Sequence, residues 1–122
     1  MHIIGNGVDI IKNSRINNSL KIKGFLNRIF TEKEIQQGKK SKNKINFYAK
    51  RFAAKEACSK ALGTGFRLGV YWKNIEVVNE KSGKPSLKLT GGAYERLKKL
   101  TPIGSTYNIS LSIINFSRGS II

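Results

Sequence analysis

The sequence predicts an α+β fold in which a small antiparallel sheet packs against one long central helix. Short segments near residues 3–11, 75–78, 86–89 and 107–112 are rich in apolar residues, and the later three alternate as half-buried strands do. Residues 45–62 instead have the apolar spacing of a helix. A chain of 122 residues is expected to form one domain, 1–122.

The first predicted strand carries the only aspartate of the chain. Asp9 lies between Val8 and Ile10, so its carboxylate is expected on the opposite face from these two apolar residues. Further on, Thr31 and Glu34 have the spacing of a capping box, which predicts that a helix begins after Thr31.

The central helix is predicted over 45–62, after a lysine-rich loop at 38–44, and it ends at Gly63-Thr64-Gly65. Spacing of four residues places Phe52, Glu56 and Lys60 on one face. The other face is predicted to carry the small and apolar residues Ala54, Cys58, Ala61 and Leu62.

The C-terminal half is predicted to contain a hairpin and a short helix. The strands 75–78 and 86–89 are joined by a turn at 79–85, and a helix follows at 92–100. A further strand is predicted at 107–112.

The charge of the chain is strongly positive. Lys and Arg total 23 against 7 Asp and Glu, a formal net charge of +16, which is the first sign of a nucleic-acid-binding module. Such a module would place stacking aromatics among its charges, whereas the phenylalanines here are spaced as core residues, so we expect no nucleic acid partner. No apolar run is long enough to cross a bilayer, and the first residues lack the pattern of a secretory signal, so we expect no membrane partner and a cytoplasmic location.

The residue types limit any metal site to oxygen ligands. With one cysteine, Cys58, and one histidine, His2, a zinc site of the usual Cys/His type is excluded. Cys58 stands among apolar residues and is expected to be a packed thiol without a catalytic role. Asp9 and Glu56 are carboxylates in apolar or basic surroundings, and they are the candidates for a metal site.

Ordinary structural roles account for the same residues. Glu56 and Lys60 have the order of a helix ion pair, worth about 0.3 to 0.5 kcal/mol, and Asp9 could cap a turn. The glycines of 63–65 could simply end a helix, and Gly83-Lys84-Pro85 could be only a turn. The lysine-rich loop could be a solvated surface.

The order of these motifs resembles the holo-acyl-carrier-protein synthases, the short phosphopantetheinyl transferases. The resemblance covers about residues 1–112. It rests on the motifs Gly5-x-Gly7-x-Asp9-Ile10, Arg15-Ile16, Arg28-Ile-Phe-Thr-Glu-Lys-Glu34, Arg51-Phe-Ala-Ala-Lys-Glu-Ala-Cys-Ser-Lys-Ala-Leu-Gly-Thr-Gly65, Ile75-Glu-Val77 and Gly83-Lys84-Pro85.

The resemblance implies the phosphopantetheinyl transferase fold and a Mg²⁺-dependent transfer. The 4'-phosphopantetheine arm of coenzyme A would move to a serine of apo-acyl carrier protein, releasing adenosine 3',5'-bisphosphate and supporting fatty acid biosynthesis. It implies Asp9 and Glu56 as Mg²⁺ ligands and Lys60 as a catalytic residue beside Glu56. The serine proton would be taken by Glu56 or by a water on the metal, and both routes stay open.

The resemblance also implies binding residues and an assembly. Coenzyme A would be bound by Lys44, Lys60, Gly63, Thr64, Gly65, Gly83, Lys84 and Pro85. The acidic carrier protein would meet the acid-free segment that contains Arg15, Lys21, Lys23 and Arg28. The family forms trimers with sites between subunits, so a homotrimer is expected. This chain departs from the family at Ser112-Ile113-Ile114, which leaves open a relative that binds the carrier protein with weakened catalysis.

Overall fold

The computed structural model describes residues 13–101, with side chains from residue 16 onward. Two short helices, α1 (Asn13–Leu20) and α2 (Phe25–Ile29), precede α3 (Glu32–Lys39) and the long helix α4 (Lys44–Ala61). A 3₁₀ turn (Trp72–Asn74) leads into the hairpin β1 (Ile75–Asn79) and β2 (Pro85–Leu89), and α5 (Gly91–Leu100) follows. The predicted strands at 3–11 and 107–112, with Asp9, lie outside the described residues.

The helix α3 begins as predicted. The Thr31 side chain accepts a hydrogen bond from the Glu34 amide at 3.3 Å, and the Glu34 carboxylate accepts one from the Thr31 amide at 2.9 Å. This reciprocal pair is the capping box that the spacing predicted.

The end of α3 corrects the predicted loop at 38–44. The helix continues through Gly38 to Lys39, although glycine is a poor helix former. Gly38 is needed there because a Cβ at this position would lie 2.2 Å from the Tyr48 hydroxyl oxygen of α4. Close packing of two helices therefore outweighs local preference.

The hydrophobic core has two main clusters on opposite ends of α4. The first joins α1–α3 to the start of α4 through Ile16, Ile29, Phe30, Ile35, Tyr48 and Ala49. The second joins the end of α4 to the hairpin and α5 through Leu62, Val70, Ile75, Ala93 and Leu97. Phe25, Phe47 and Phe52 pack against the first cluster, as their spacing predicted.

The hairpin confirms the predicted antiparallel sheet. Strands β1 and β2 pair in the register Ile75 with Leu89 and Val77 with Leu87. Val77 and Ala54 of α4 are buried together, so the sheet packs on the central helix as predicted. The observed strands are one residue longer at the turn end than predicted, and α4 spans 44–61 instead of 45–62.

Candidate active site

The helix α4 carries the two residues predicted to be catalytic. Glu56 is partly buried, and Lys60, one turn later, is exposed in the last turn of the helix. Phe52, one turn before Glu56, stacks on Trp72 with ring centroids 4.7 Å apart. Glu56 therefore lies between an aromatic contact on its N-terminal side and a lysine toward the solvent.

The glycine-rich turn after α4 is tied back to the helix by its backbone. Gly63 and Gly65 have φ values of 78° and 58°, which favour glycine because a Cβ is strained there. The Gly63 amide donates to the Lys60 carbonyl at 2.9 Å, and the Gly65 amide donates to the Ser59 carbonyl at 3.0 Å. Thr64 is buried, and its hydroxyl donates to the Gly65 carbonyl at 2.8 Å. The turn is thus a defined structure that begins three residues after Lys60.

A buried ion pair, which the sequence analysis missed, involves Lys55, the residue before Glu56 in the sequence. The Lys55 ammonium contacts the Glu34 carboxylate at 2.8 Å, and both side chains are fully buried. Glu34 also accepts a hydrogen bond from the Val77 amide at 3.0 Å. Lys55 donates to the Trp72 carbonyl at 3.2 Å and to the Ile75 carbonyl.

The pair of Lys55 and Glu34 connects α3, α4, the 3₁₀ turn and β1. Burial lowers the pKa of the Lys55 ammonium, and the Glu34 carboxylate opposes that shift by favouring the charged form. Because each charge has several partners, the arrangement resists rotation or sliding of α4 against β1. The backbone that carries Glu56 is therefore held by its neighbour in the sequence.

The other predicted coenzyme A residues lie away from the glycine turn along the chain. Lys44 is exposed at the first residue of α4, sixteen positions before Lys60. At 1.5 Å per residue, the two Cα atoms are about 24 Å apart along the helix. Two lysine side chains cannot span that distance, so one protomer cannot place both ammonium groups on the same phosphate. Gly83 and Lys84 are exposed at the hairpin turn, and Pro85 begins β2.

The residues predicted to meet a protein partner lie in the two-helix segment before α3. Arg15 belongs to α1, while Lys21 and Lys23 are exposed between α1 and α2. Arg28 is exposed in the last turn of α2. Between the two lysines, Ile22 is 63% exposed, an apolar contact point that charge counting did not detect.

Of the two predicted metal ligands, Glu56 belongs to the part of the chain that the structure describes. Across residues 13–101, no group of three or more His, Cys, Asp or Glu side chains lies close enough to hold an ion. Mg²⁺ is commonly held by one or two carboxylates together with waters and substrate phosphates, so the partly buried Glu56 carboxylate fits the donor chemistry. Asp9 lies outside the described residues.

Cys58 has the surroundings expected of a packed thiol. It packs against the cluster that contains Leu62 and Ile75. Burial raises the pKa of the thiol from 9.0 to about 12, with Lys55 opposing the shift. A thiol with this pKa stays protonated at neutral pH and is a poor nucleophile.

The sequence of the chain is similar to those of known proteins. The sequence profile of the 4'-phosphopantetheinyl transferase superfamily matches residues 5–112. The chain belongs to this superfamily. The match includes the end of α4 and the hairpin, so it covers every predicted site residue.

Individual members of the superfamily agree over most of their length. The holo-[acyl-carrier-protein] synthase of Sinorhizobium fredii is 54% identical over 113 residues, covering 91% of this chain and 81% of the relative. The synthase of Pelagibacter ubique is 49% identical over 121 residues, covering 99% and 94%. The crystal structure of the Bacillus anthracis synthase in complex with CoA (3',5'-ADP) has a TM-score of 0.64 and 46% identity, covering 72% of this chain and 76% of that one.

These findings confirm the predicted family, the α+β fold and the prediction of an enzyme. They leave the individual site residues as predictions. Among the helices of residues 13–101, none is both long and apolar enough to cross a membrane.

Proposed function

We propose that this protein transfers the 4'-phosphopantetheine group of coenzyme A to a serine of apo-acyl carrier protein, with Mg²⁺ and with release of adenosine 3',5'-bisphosphate. The observation that carries the proposal is the 54% identity, over 91% of the chain, with a holo-[acyl-carrier-protein] synthase. The Bacillus anthracis relative, 46% identical, was crystallised with CoA (3',5'-ADP), which supports coenzyme A as the substrate. The role in fatty acid biosynthesis and the cytoplasmic location are parts of the same proposal.

The residues of α4 would organise the phosphate chemistry. Asp9 and Glu56 would hold Mg²⁺, which when bound neutralises negative charge on the pyrophosphate oxygens. The serine hydroxyl of the carrier protein attacks the phosphorus that carries the pantetheine arm, and the bond to the adenosine bisphosphate breaks. Lys60, exposed one turn from Glu56, would bind the same phosphate oxygens and stabilise their charge during the attack. Glu56 is also a candidate to accept the serine proton.

The proposed coenzyme A residues lie at both ends of α4 and at the hairpin turn. Lys60 and the turn Gly63-Thr64-Gly65 lie at one end of α4, where the Lys60 ammonium can bind phosphate and the turn would contact the same coenzyme A molecule. Lys44 lies about 24 Å away at the other end. Lys44 and Lys60 of one protomer would therefore bind different phosphate groups, and the homotrimer with sites between subunits is part of the proposal. Gly83, Lys84 and Pro85 would contact the adenine from the hairpin turn.

The partner surface is proposed to be the segment from Arg15 to Arg28. Its basic residues would attract an acidic carrier protein, and long-range attraction of this kind raises the association rate. The exposed Ile22 between Lys21 and Lys23 would add an apolar contact. This pairing of apolar and basic groups favours a folded protein partner over nucleic acid, whose binding is dominated by phosphate contacts.

The proposal is tested by the mass of apo-acyl carrier protein after incubation with this protein, coenzyme A and Mg²⁺. We expect a mass gain equal to one phosphopantetheine arm, and we expect it to disappear with a chelator. Glu56→Gln is expected to lower kcat at least 100-fold while leaving the circular dichroism spectrum unchanged. A carrier protein that binds without gaining mass would instead identify a relative with lost catalysis.

A further inference from the structure

The turn after α4 is contacted by a charged residue from another helix. Arg96 of α5 is partly buried, and its Nε donates a hydrogen bond to the Leu62 carbonyl at 2.9 Å. The same guanidinium lies against the next residue, since a Cβ at Gly63 would be 3.4 Å from an Arg96 terminal nitrogen. Leu62 is the C-cap that follows α4, at the helix end whose carbonyls carry partial negative charge that a cation stabilises.

Close packing of α5 holds Arg96 next to the end of α4. Ala93 and Leu97 are buried in the same cluster as Leu62, so the face of α5 beside Arg96 packs on the end of α4. At the start of α5, a Cβ on Gly92 would lie 1.9 Å from the Gly69 carbonyl oxygen, in the loop that follows the turn. The helix is therefore seated directly against the backbone on both sides of Gly63-Thr64-Gly65.

We propose that Arg96 is a positioning residue for coenzyme A, holding the Leu62 carbonyl and Gly63 so that the turn keeps its place beside Lys60 in the coenzyme A site. This inference rests on the proposed function, in which the turn binds coenzyme A. The turn has backbone bonds at Gly63 and Gly65 to α4, but Arg96 is a side chain from a separate element that contacts it. Loss of that contact frees the turn without touching Glu56 or Lys60.

The test compares Arg96→Met with Lys99→Met. Lys99 is exposed on the same helix, so this control removes the same charge without a contact to the turn. For Arg96→Met we expect the Kd of coenzyme A, measured by calorimetry, and its KM to rise about tenfold, while kcat and the KM of the carrier protein change less than twofold. Lys99→Met is expected to leave all four values within twofold of wild type.

Two further measurements distinguish a positioning role of Arg96 from a direct electrostatic attraction to phosphate. Amide exchange at Gly63 and Gly65 is expected to accelerate in Arg96→Met but not in the control. The loss of affinity is expected to be equal at low and high salt, because it arises from the turn geometry; a loss that shrinks with salt would instead mean direct attraction to phosphate and would overturn the inference. Unchanged coenzyme A affinity in Arg96→Met, beside a wild type that binds and transfers, would also overturn it. A wild type that neither binds coenzyme A nor modifies the carrier protein would contradict the proposed function itself.

Discussion

Removing the Lys55 ammonium is expected to destabilise the protein far more than removing another lysine of α4. In Lys55→Met, the Glu34 carboxylate stays fully buried and keeps its hydrogen bonds from the Thr31 and Val77 amides, but it loses the ammonium that contacts it at 2.8 Å. Breaking a buried pair from one side costs about 3 to 5 kcal/mol. Domains of this size are stable by roughly 5 to 15 kcal/mol, so about half of the stability could be lost.

The assay is equilibrium unfolding in urea, followed by circular dichroism. Lys50→Met is the matched control, because Lys50 is also on α4 and is only partly buried; we expect a change within about 0.5 kcal/mol. The double variant Glu34→Gln with Lys55→Met removes both charges, and its loss is expected to be smaller than the sum of the two single losses by at least about 2 kcal/mol.

A stability loss below about 1 kcal/mol in Lys55→Met, or two single losses that simply add, would mean that the buried pair does not stabilise the fold in this way. Should Lys55→Met not fold, Glu34→Gln gives a second measurement. That variant leaves Lys55 buried on the Trp72 and Ile75 carbonyls, and it should also be destabilised by at least about 2 kcal/mol relative to wild type.

The remaining predictions concern Cys58, Gly92 and Lys23. Cys58 should react slowly with iodoacetamide at pH 8 in the folded protein and quickly in urea; equal rates would contradict its raised pKa of about 12. Because the folded pKa lies above 9.0, the folded thiol keeps a proton that the unfolded chain loses between pH 9 and 12, so its contribution to stability should fall across that range. Gly92→Ala should lower the free energy of unfolding, measured in urea, by about 1 to 3 kcal/mol, because its Cβ would overlap the Gly69 carbonyl oxygen. An unchanged free energy of unfolding would mean that α5 does not pack tightly against the Gly69 backbone. Lys23→Glu should raise the KM of the carrier protein severalfold at low salt and less at high salt, with the KM of coenzyme A unchanged, and an effect independent of salt would exclude electrostatic attraction.

Local patterns were sufficient to predict most of the described fold. The capping box at Thr31, the long helix and the hairpin each depend on neighbours in the sequence, and each is confirmed within a few residues. The predicted loop at 38–44 was wrong at its start, because the contact between Gly38 and Tyr48 involves two helices that only the folded chain brings together.

The same distinction applies to the candidate site, where local motifs predicted neighbouring residues but not contacts between separate elements. Glu56, Lys60 and the glycine turn were found because they are adjacent on one helix and its end. Arg96 lies more than thirty residues later and was not recognised, since its contact with the Leu62 carbonyl depends on how α5 packs. Lys55 and Glu34 lie within the motifs that carry the family resemblance, but no local pattern indicates that their side chains meet in the core.

The Glu34 carboxylate also fixes the position of β1 against the core. An isolated two-stranded hairpin is marginally stable, and a shift of one residue would turn every apolar side chain of β1 to the other face. Glu34 accepts the Val77 amide while it is held by Lys55 and by the Thr31 amide, so a shifted strand would present a different amide and leave a buried carboxylate oxygen without a donor. A residue in the first turn of α3, forty-three positions earlier, thus fixes where β1 lies on the core and gives β2 a positioned strand to pair with.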